Sequence, residues 1–436
     1  MLNLYSPEEM LTMEGKEVDI CGWVHDVRRL GGISFILIRN SKGIFQITVK
    51  KDSGRELIEK AGKLRQEDVI LCRGEVRKSE IARNGFEVFP KRIDVISKSD
   101  TPLPLDPRGV VESHIDTRFE WRSIDLRTEK MHAVFYITNI AVNAMEEYLQ
   151  KNGFIRVFTP SIIGGISEGG AEVFKIDYFG KPAFLRQDPQ LHRQLTIAGG
   201  FERIYDLGTN WRAELSHTPR HLCEHRTIAP EIAFIDDERD VMKVEEEMVI
   251  HAIKAICERC SKQLSTLKLK LTVPESPFPE LRFPEIYSIL KSMGKEKERN
   301  EDLDTESLKL LSAYVKKEYN SEFFFINRFP YSIKPFYVMK VEEDPDYARS
   351  VDLMFGSTEL SSGGQREHRY EKLVEQIREK GIDEKLLSWF TEPFRYGVPP
   401  HGGYSFGIER FIASILNLEN VKEASLFPRD PERLLP

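Results

Sequence analysis

From Gly15 to about residue 98, apolar and polar residues alternate in short runs, the period of half-buried strands. The stretch GKEVDICGWVHDVRRLGGISFILIRNSKGIFQITVKK is broken at Gly31-Gly32 and at Ser41-Lys42-Gly43, where the chain is expected to turn. SGRELIEKAGKLR has a more helical spacing, and DVILCRGEVRKS and GFEVFPKRIDVIS predict two further strands. KSDTPLPLDPRG is proline-rich and predicts an extended linker. After it the period changes. MHAVFYITNIAVNAMEEYLQKNG has helical spacing and stops at Gly153. FERIYDLG and IAPEIAFID predict strands, GGYSFGIERFIASIL a strand running into a helix, and DERDVMKVEEEMVIHAIKAICERC a long amphipathic helix.

Five strands and one helix in about 85 residues predict a small all-β barrel, of which the OB-fold is the obvious member. The remaining helices and antiparallel-type strands, without strict βαβ alternation, predict an α+β domain of about 310 residues. The expected boundaries are a barrel over 1–98, a linker or hinge over 99–125 and the larger domain over 126–436.

Composition narrows the class. The 436 residues are 40% hydrophobic and 31% charged, as in a globular protein of two or three domains. No run approaches the roughly 18 apolar residues of a membrane span, and the first residues lack the basic and apolar regions of a signal peptide. The expectation is a cytoplasmic protein with reduced thiols and no membrane partner. Cys257 and Cys260 form a C-x-x-C pair on a predicted helix, but no second pair completes a zinc site. The net charge of −7 argues against nucleic-acid binding through bulk positive charge. An RNA partner would have to be met by local patches and base stacking.

Four segments carry candidate chemistry. Pro399 to Phe411 places glycines where a strand turns into a helix, which lets a nucleotide approach the backbone and an anion meet a helix start. Trp211-Arg212-Ala213-Glu214 and His217 to Leu222 form an Arg- and His-rich loop suited to phosphates, since guanidinium matches phosphate oxygens in pairs. Asp352 and Glu359 to Arg366 set two carboxylates near glycines and an arginine, a set suited to Mg²⁺ on a nucleotide. Ser167 to Glu172 reads as a glycine-rich lid, followed by Arg186 to Arg193. Singly, each is equally a structural turn, a solvated hairpin, a pair of surface acids or a surface loop.

In this order the segments resemble the three signature motifs of the class II aminoacyl-tRNA synthetases, and within them the archaeal-type aspartate branch. Gly153 to Pro160 resembles motif 1, Arg212 to Leu222 motif 2 and Gly403 to Arg410 motif 3. The EGGAEVF loop, QDPQLHRQ, ELSSGGQREHRYEKLVEQI and the ending LFPRDPERLLP are similar to that branch, so the likeness spans essentially the whole chain. It implies an antiparallel catalytic sheet flanked by helices, acting as a homodimer with Pro160 at the interface. It implies a reaction in which ATP and L-aspartate form aspartyl-adenylate and the aspartyl group passes to the 3′ end of tRNA(Asp).

The same resemblance assigns residues. ATP would lie on Arg212, Glu214, Arg220, His221, Leu222, Glu359, Gly407, Ile408, Glu409 and Arg410, with Arg212 and Arg410 as the catalytic cations. Aspartate would lie on Glu168, Gln190, Arg193, Arg212, Ser362 and Arg366, with Arg366 taking its side-chain carboxylate. Mg²⁺ would lie on Asp352, Glu359 and Ser362. In the barrel, His25, Phe35, Arg39, Gln46 and Arg83 would meet the anticodon, Phe35 by stacking and Gln46 by reading a base edge. Phe35 as a core residue is the alternative.

Three positions depart from the branch. Arg193 stands where lysine is usual, Ala229 where an aspartate helps bind the substrate ammonium, and His225 near a usual aromatic that stacks on adenine. His25 resembles relatives that also charge tRNA(Asn), which carry proline where this chain has Arg83, so the acceptor range stays open. Two rivals remain: an asparagine–tRNA ligase, and a synthetase-like paralogue acting as a small-molecule ligase or RNA-binding regulator.

Overall fold

A computed structural model describes residues 4–165, 173–213, 215 and 218–436. The chain divides into two units, Met1–Thr117 and Arg118–Pro436.

In the first unit, β1 (Glu17–Leu30), β2 (Ile33–Asn40), β3 (Gly43–Val49), β4 (Val69–Lys78) and β5 (Phe86–Ser97) close a barrel in the order β1-β2-β3-β5-β4. Two helices accompany it, α1 (Pro7–Leu11) and α2 (Arg55–Lys63). Ser6 caps α1 in a reciprocal box with Glu9. The alternation seen in the sequence is the wall of this barrel. Val18, Ile20, Ile36, Ile38, Phe45 and Ile47 are buried in its core. The intervening residues of β2 and β3 share the other face, where Phe35 pairs with Thr48, Leu37 with Gln46 and Arg39 with Ile44.

The second unit begins earlier than the expected linker end. Residues 118–125 pack inside it because Arg122, fully buried, donates to the carbonyls of Leu426 (2.9 Å), Ser425 (2.6 Å) and Glu423 (3.0 Å). Such a side chain satisfies backbone oxygens that burial would otherwise strand.

Its frame is an eight-stranded sheet. The strands are β6 (Ile155–Val157), β10 (Arg203–Trp211), β11 (Glu224–Ala233), β12 (Glu280–Arg282), β13 (Phe323–Asn327), β14 (Ser350–Phe355), β15 (Thr358–Arg366) and β16 (His401–Gly407). Their order is β12-β13-β14-β15-β16-β11-β10-β6. The six central strands are antiparallel, while β6 and β12 join the two edges in parallel. A separate small sheet holds β7 (Ile162–Ile163), β8 (Lys175–Tyr178) and β9 (Lys181–Leu185). The helices used below are α3 (Glu129–Lys151), α4 (Gln190–Ala198), α5 (Glu238–Arg259) and α6 (Ile408–Ile415). Met131, Val134, Ile137, Ala141 and Met145 of α3 recur at three- and four-residue steps, as an amphipathic helix requires. They form one core with Val249, Ile253 and Ile256 of α5 and with Tyr205, Ile228, Leu353 and Phe406 of the sheet.

The glycines of the C-terminal segment do something other than the sequence suggested. Gly403 lies within β16 rather than at a turn, and a Cβ there would stand 2.2 Å from the carbonyl oxygen of Pro230 and 2.5 Å from Glu231 Oε2. A Cβ on Gly363 of β15 would stand 2.4 Å from the carbonyl oxygen of Gly403. These residues are glycine because three strands crowd together around a buried carboxylate. The strand-to-helix junction itself is Gly407, which caps α6.

His401, at the start of β16, is fully buried, with Nδ1 2.9 Å from the Pro399 carbonyl. Burial pushes its imidazole down to about 4, against an opposing pull from Glu231. The unfolded chain, with an ordinary histidine, therefore binds a proton that the folded chain refuses between those values, and stability falls as pH falls through that window. We expect the unfolding free energy to drop by about 1 kcal/mol between pH 7 and pH 5.5 from this residue alone. Urea titrations of wild type and His401→Gln at both pH values check this: the variant should lose that part of the pH dependence.

Candidate active site

The strand pairing puts the separate sequence motifs on one surface. β14, β15, β16, β11 and β10 are successive neighbours, and a cavity of ≈ 320 Å³ opens over them. Arg212, Arg220, His221 and Leu222 line it from the connection between β10 and β11. Asp352 lines it from β14, and Glu359, Ser362 and Arg366 from β15. Gly407, Glu409 and Arg410 line it at the junction of β16 and α6, and Gln190 at the start of α4. Glu168 and Glu214 lie outside the described residues. Ile408 is buried in the core and does not line the cavity.

One end of the cavity is strongly cationic. Arg410 Nη1 donates to the Glu359 backbone oxygen (3.1 Å) and to its carboxylate (3.2 Å), which links α6 to β15. His225 stands opposite Asn210 in the strand pair, and burial together with Arg212 and Arg410 pushes its imidazole down to about 3. The ring is therefore neutral at physiological pH. Asn210 donates to Thr227 Oγ1 at 2.9 Å. Glu409 accepts from the Arg226 backbone N–H (2.9 Å) and Nη1 (3.3 Å), yet burial still holds its carboxyl above the usual range.

Beside these cations are two acids. Asp352 is the cross-strand partner of Ser362, and Lys334 Nζ lies 3.2 and 3.3 Å from its two oxygens. Burial raises the Asp352 carboxyl to about 6, with Lys334 opposing and Glu359 adding to the rise. Among the described residues, no group of three or more His, Cys, Asp or Glu side chains is arranged to hold a metal alone. Asp352, Glu359 and Ser362 offer only oxygen, which suits an ion that takes one or two carboxylates plus phosphate oxygens and water. The donor set fits Mg²⁺ arriving with a nucleotide.

The other end is a closed network of buried charge. Arg366 Nε donates to Glu231 Oε1 (2.9 Å), and its Nη2 to Gln190 Oε1 (3.0 Å) and the Gly403 carbonyl (2.8 Å). Arg193 forks onto Asp188 at 2.6 and 2.8 Å and also reaches Gln190 Oε1 at 2.6 Å. Gln190 Nε2 returns a hydrogen bond to Glu231 Oε2 at 3.1 Å. Burial works to raise the Glu231 and Asp188 carboxyls, but Arg366 and Arg193 outweigh it and hold both below the usual range.

Arg193 is part of this network. It is fully buried and does not line the cavity, because Asp188 and Gln190 take both ends of its fork. Ala229 is also buried, opposite Asp206 on β10. Asp188, inside the Arg186 to Arg193 segment, and Lys334 line the cavity and were given no role from sequence. The charge inside QDPQLHRQ was a signal for the first, whereas Lys334 lies in a segment with no motif and only the fold brings it to Asp352.

In the first unit, Phe35 and Gln46 are half-buried on the outer barrel face, and Arg83 is exposed in the turn before β5. Arg39 is buried on that face, with its guanidinium forked onto Glu67 at 3.1 and 3.0 Å and 3.3 Å from His25 Nδ1. His25 is the extra residue where the register of β1 against β2 jumps between Val24 and Asp26.

Residues 114–431 match the family of class II tRNA synthetases (D, K and N), and residues 18–96 match the OB-fold nucleic acid binding domain. The chain is 43% identical over 433 residues to the aspartate–tRNA(Asp) ligase of Pyrococcus furiosus, which spans 99% of each chain. It is 44% identical over 433 residues to the aspartate–tRNA(Asp/Asn) ligase of Methanopyrus kandleri, again 99% of each. Among solved structures, the asparaginyl-tRNA synthetase of Pyrococcus horikoshii with asparaginyl-adenylate superposes with a TM-score of 0.94 at 34% identity, over 100% of both chains. The aspartyl-tRNA synthetase of Entamoeba histolytica does so with a TM-score of 0.88 at 28% identity, over 100% of this chain and 93% of that one. Motifs met along the chain, the cleft they form and these full-length matches agree: the chain belongs to the class II aminoacyl-tRNA synthetases of the D, K and N group, among the archaeal aspartate–tRNA ligases.

Proposed function

We propose that the cleft joins L-aspartate to ATP, giving aspartyl-adenylate and pyrophosphate, and then passes the aspartyl group to the 3′ end of tRNA(Asp). The observation that carries the choice of amino acid is Arg366. Its Nε and Nη2 are held by Glu231, Gln190 and Gly403, Nη1 makes no hydrogen bond within the described chain, and the residue lines the cleft. A carboxylate satisfies that remaining N–H edge, while an asparagine amide offers it neither charge nor a second acceptor.

The chemistry needs alignment and neutralisation of charge rather than a strong base. The α-carboxylate of the amino acid attacks the α-phosphorus and pyrophosphate leaves. Arg212 faces the charge that builds on the α-phosphate, and Arg220, His221 and Arg410 meet the distal phosphates. The neutral face of His225 lies where the base stacks. Glu214 and Glu168 take the adenine end and the substrate amine by the same family likeness. Asp352, Glu359 and Ser362 hold Mg²⁺, which shields the phosphates when bound.

The barrel is read as the anticodon-binding domain, its outer face with Phe35 and Gln46 offering a stacking ring beside an edge-reading amide. Arg39 serves by holding that face together through Glu67. A homodimer fits the exposed apolar side chains of Ile155, Phe158 and Ile162 beside Pro160. No helix among the described residues is long and apolar enough to cross a membrane, and the cytoplasm, where charging occurs, is the proposed compartment. The tRNA(Asn) question turns on His25 and Arg83, and charging of both purified tRNAs answers it.

The asparagine reading is kept alive by the Pyrococcus horikoshii structural match. Amino-acid-dependent ATP–pyrophosphate exchange separates the two. Aspartate should support exchange and asparagine should give a kcat/KM lower by about 10³-fold or more; the reverse order would overturn the aspartate reading. Arg366→Ala should cut kcat/KM for aspartate by at least about 100-fold, the usual consequence of stripping one partner from a buried charge pair. Full retention of activity would remove Arg366 from the site. Phe35→Ala should lower kcat/KM for tRNA charging about 10-fold, the worth of one base stack, with exchange in the absence of tRNA as the control. Unchanged charging would return Phe35 to a packing role.

A further inference from the structure

Asp352 and Glu359, read above as holders of Mg²⁺, are each in contact with a cation of the chain itself. Arg410 Nη1 lies 3.2 Å from the Glu359 carboxylate. Lys334 Nζ lies 3.2 and 3.3 Å from the two oxygens of Asp352, and the two side chains are only 12% and 8% exposed. The partners in this second pair are held differently. Asp352 stands on an inner strand, opposite Ile326 on β13 and Ser362 on β15. Lys334 comes from outside the sheet. It follows a single helical turn, Tyr331–Ile333, with its backbone N–H on the Tyr331 carbonyl at 3.1 Å. Its ammonium stands 3.8 Å from the centre of the Phe329 ring. The carboxylate thus sits on a rigid frame, while the ammonium swings on a flexible four-carbon stem.

A divalent ion on Asp352 needs the oxygens that Lys334 faces. The two cations cannot share them at contact distance, because like charges a few ångströms apart repel strongly in a partly buried site. The charge of the cleft shows what releases the lysine. Arg212, Arg220, Arg410 and Lys334 line this end, and of the acids there Glu409 is already offset by Arg226. A metal ion by itself adds positive charge where cations are in excess. A triphosphate brings more negative charge than the ion it carries, and its oxygens offer the displaced ammonium a new partner.

We infer that Lys334 competes with divalent metal for Asp352, so that the cleft takes up the ion only together with a triphosphate. The inference rests on the reading of this end as a nucleotide and Mg²⁺ site. Lys334 is then a positioning residue that couples two ligands. By linkage the coupling is mutual, each ligand tightening the other by the same factor. Bare metal is kept off acids that the nucleotide-borne ion requires.

The test is Mn²⁺ binding to the full chain by equilibrium dialysis, with and without ATP and with no amino acid present. Wild type with ATP comes first: no bound Mn²⁺ there would overturn the nucleotide-site reading itself. Without ATP, Lys334→Met, which keeps the length of the side chain and removes its charge, should bind Mn²⁺ at least about 10-fold more tightly than wild type, a factor within the usual range of coupling between sites. The tightening that ATP confers on Mn²⁺ should shrink by the same factor. Lys334→Gln, which can still hydrogen-bond to Asp352, is measured beside it and read the same way. The gain should vanish in Lys334→Met/Asp352→Asn, since the contested oxygens are those of Asp352. Loss of a mere packing contact would not create a metal site. If wild type and both single variants bind Mn²⁺ equally without ATP, or if the gain survives Asp352→Asn, the inference fails.

Discussion

The ion pair between Arg366 and Glu231 sets the terms for the rest of the catalytic unit. Two charges taken out of water must satisfy one another and their remaining hydrogen-bonding capacity, or the fold bears the loss. Here Gln190 and the Gly403 carbonyl complete Arg366, while Gln190 also completes Glu231. Each partner comes from a different element: β15, β11, α4 and β16. The pair therefore welds four segments into one rigid wall, and it can form only because Gly403 leaves room for the carboxylate.

That wall divides the cleft by charge. On the Arg366 side the charges balance in fixed pairs, so a small zwitterion with one extra carboxylate meets groups already aimed at it. On the other side Arg212, Arg220, Arg410 and Lys334 outnumber Asp352, Glu359 and Glu409, which suits a triphosphate. His225 between them is kept neutral by burial first and by Arg212 and Arg410 second. Preorganisation of this kind does its work before the substrate arrives, since the groups need not reorient as charge moves in the transition state.

The barrel applies the same economy at its own surface. Arg39, expected as an RNA contact, forks onto buried Glu67 under a face where Phe35 and Gln46 remain partly exposed. A net charge of −7 is consistent with recognition by a few placed rings and amides rather than by a basic field.

The sequence alone determined the elements and the chemistry of the ends. Period-two alternation in β1 to β5 and three- and four-residue recurrence in α3 and α5 are local signals, read from neighbours along the chain. The arginines, acids and glycines of the motifs were equally visible, because each segment carries its residues within a dozen positions. What tertiary structure decided is which of those charges face each other. Arg193 lies in a motif yet is buried behind the cleft lining, held by Asp188 and Gln190. Asp188 faces the cleft, and Lys334 reaches Asp352 from a stretch with no pattern at all. Gly403 looked like a nucleotide turn and is a packing site between strands far apart in sequence. Pairing of buried charge depends on distance in space, which local composition does not encode, so partner choice became legible only once β11, β15 and β16 lay side by side.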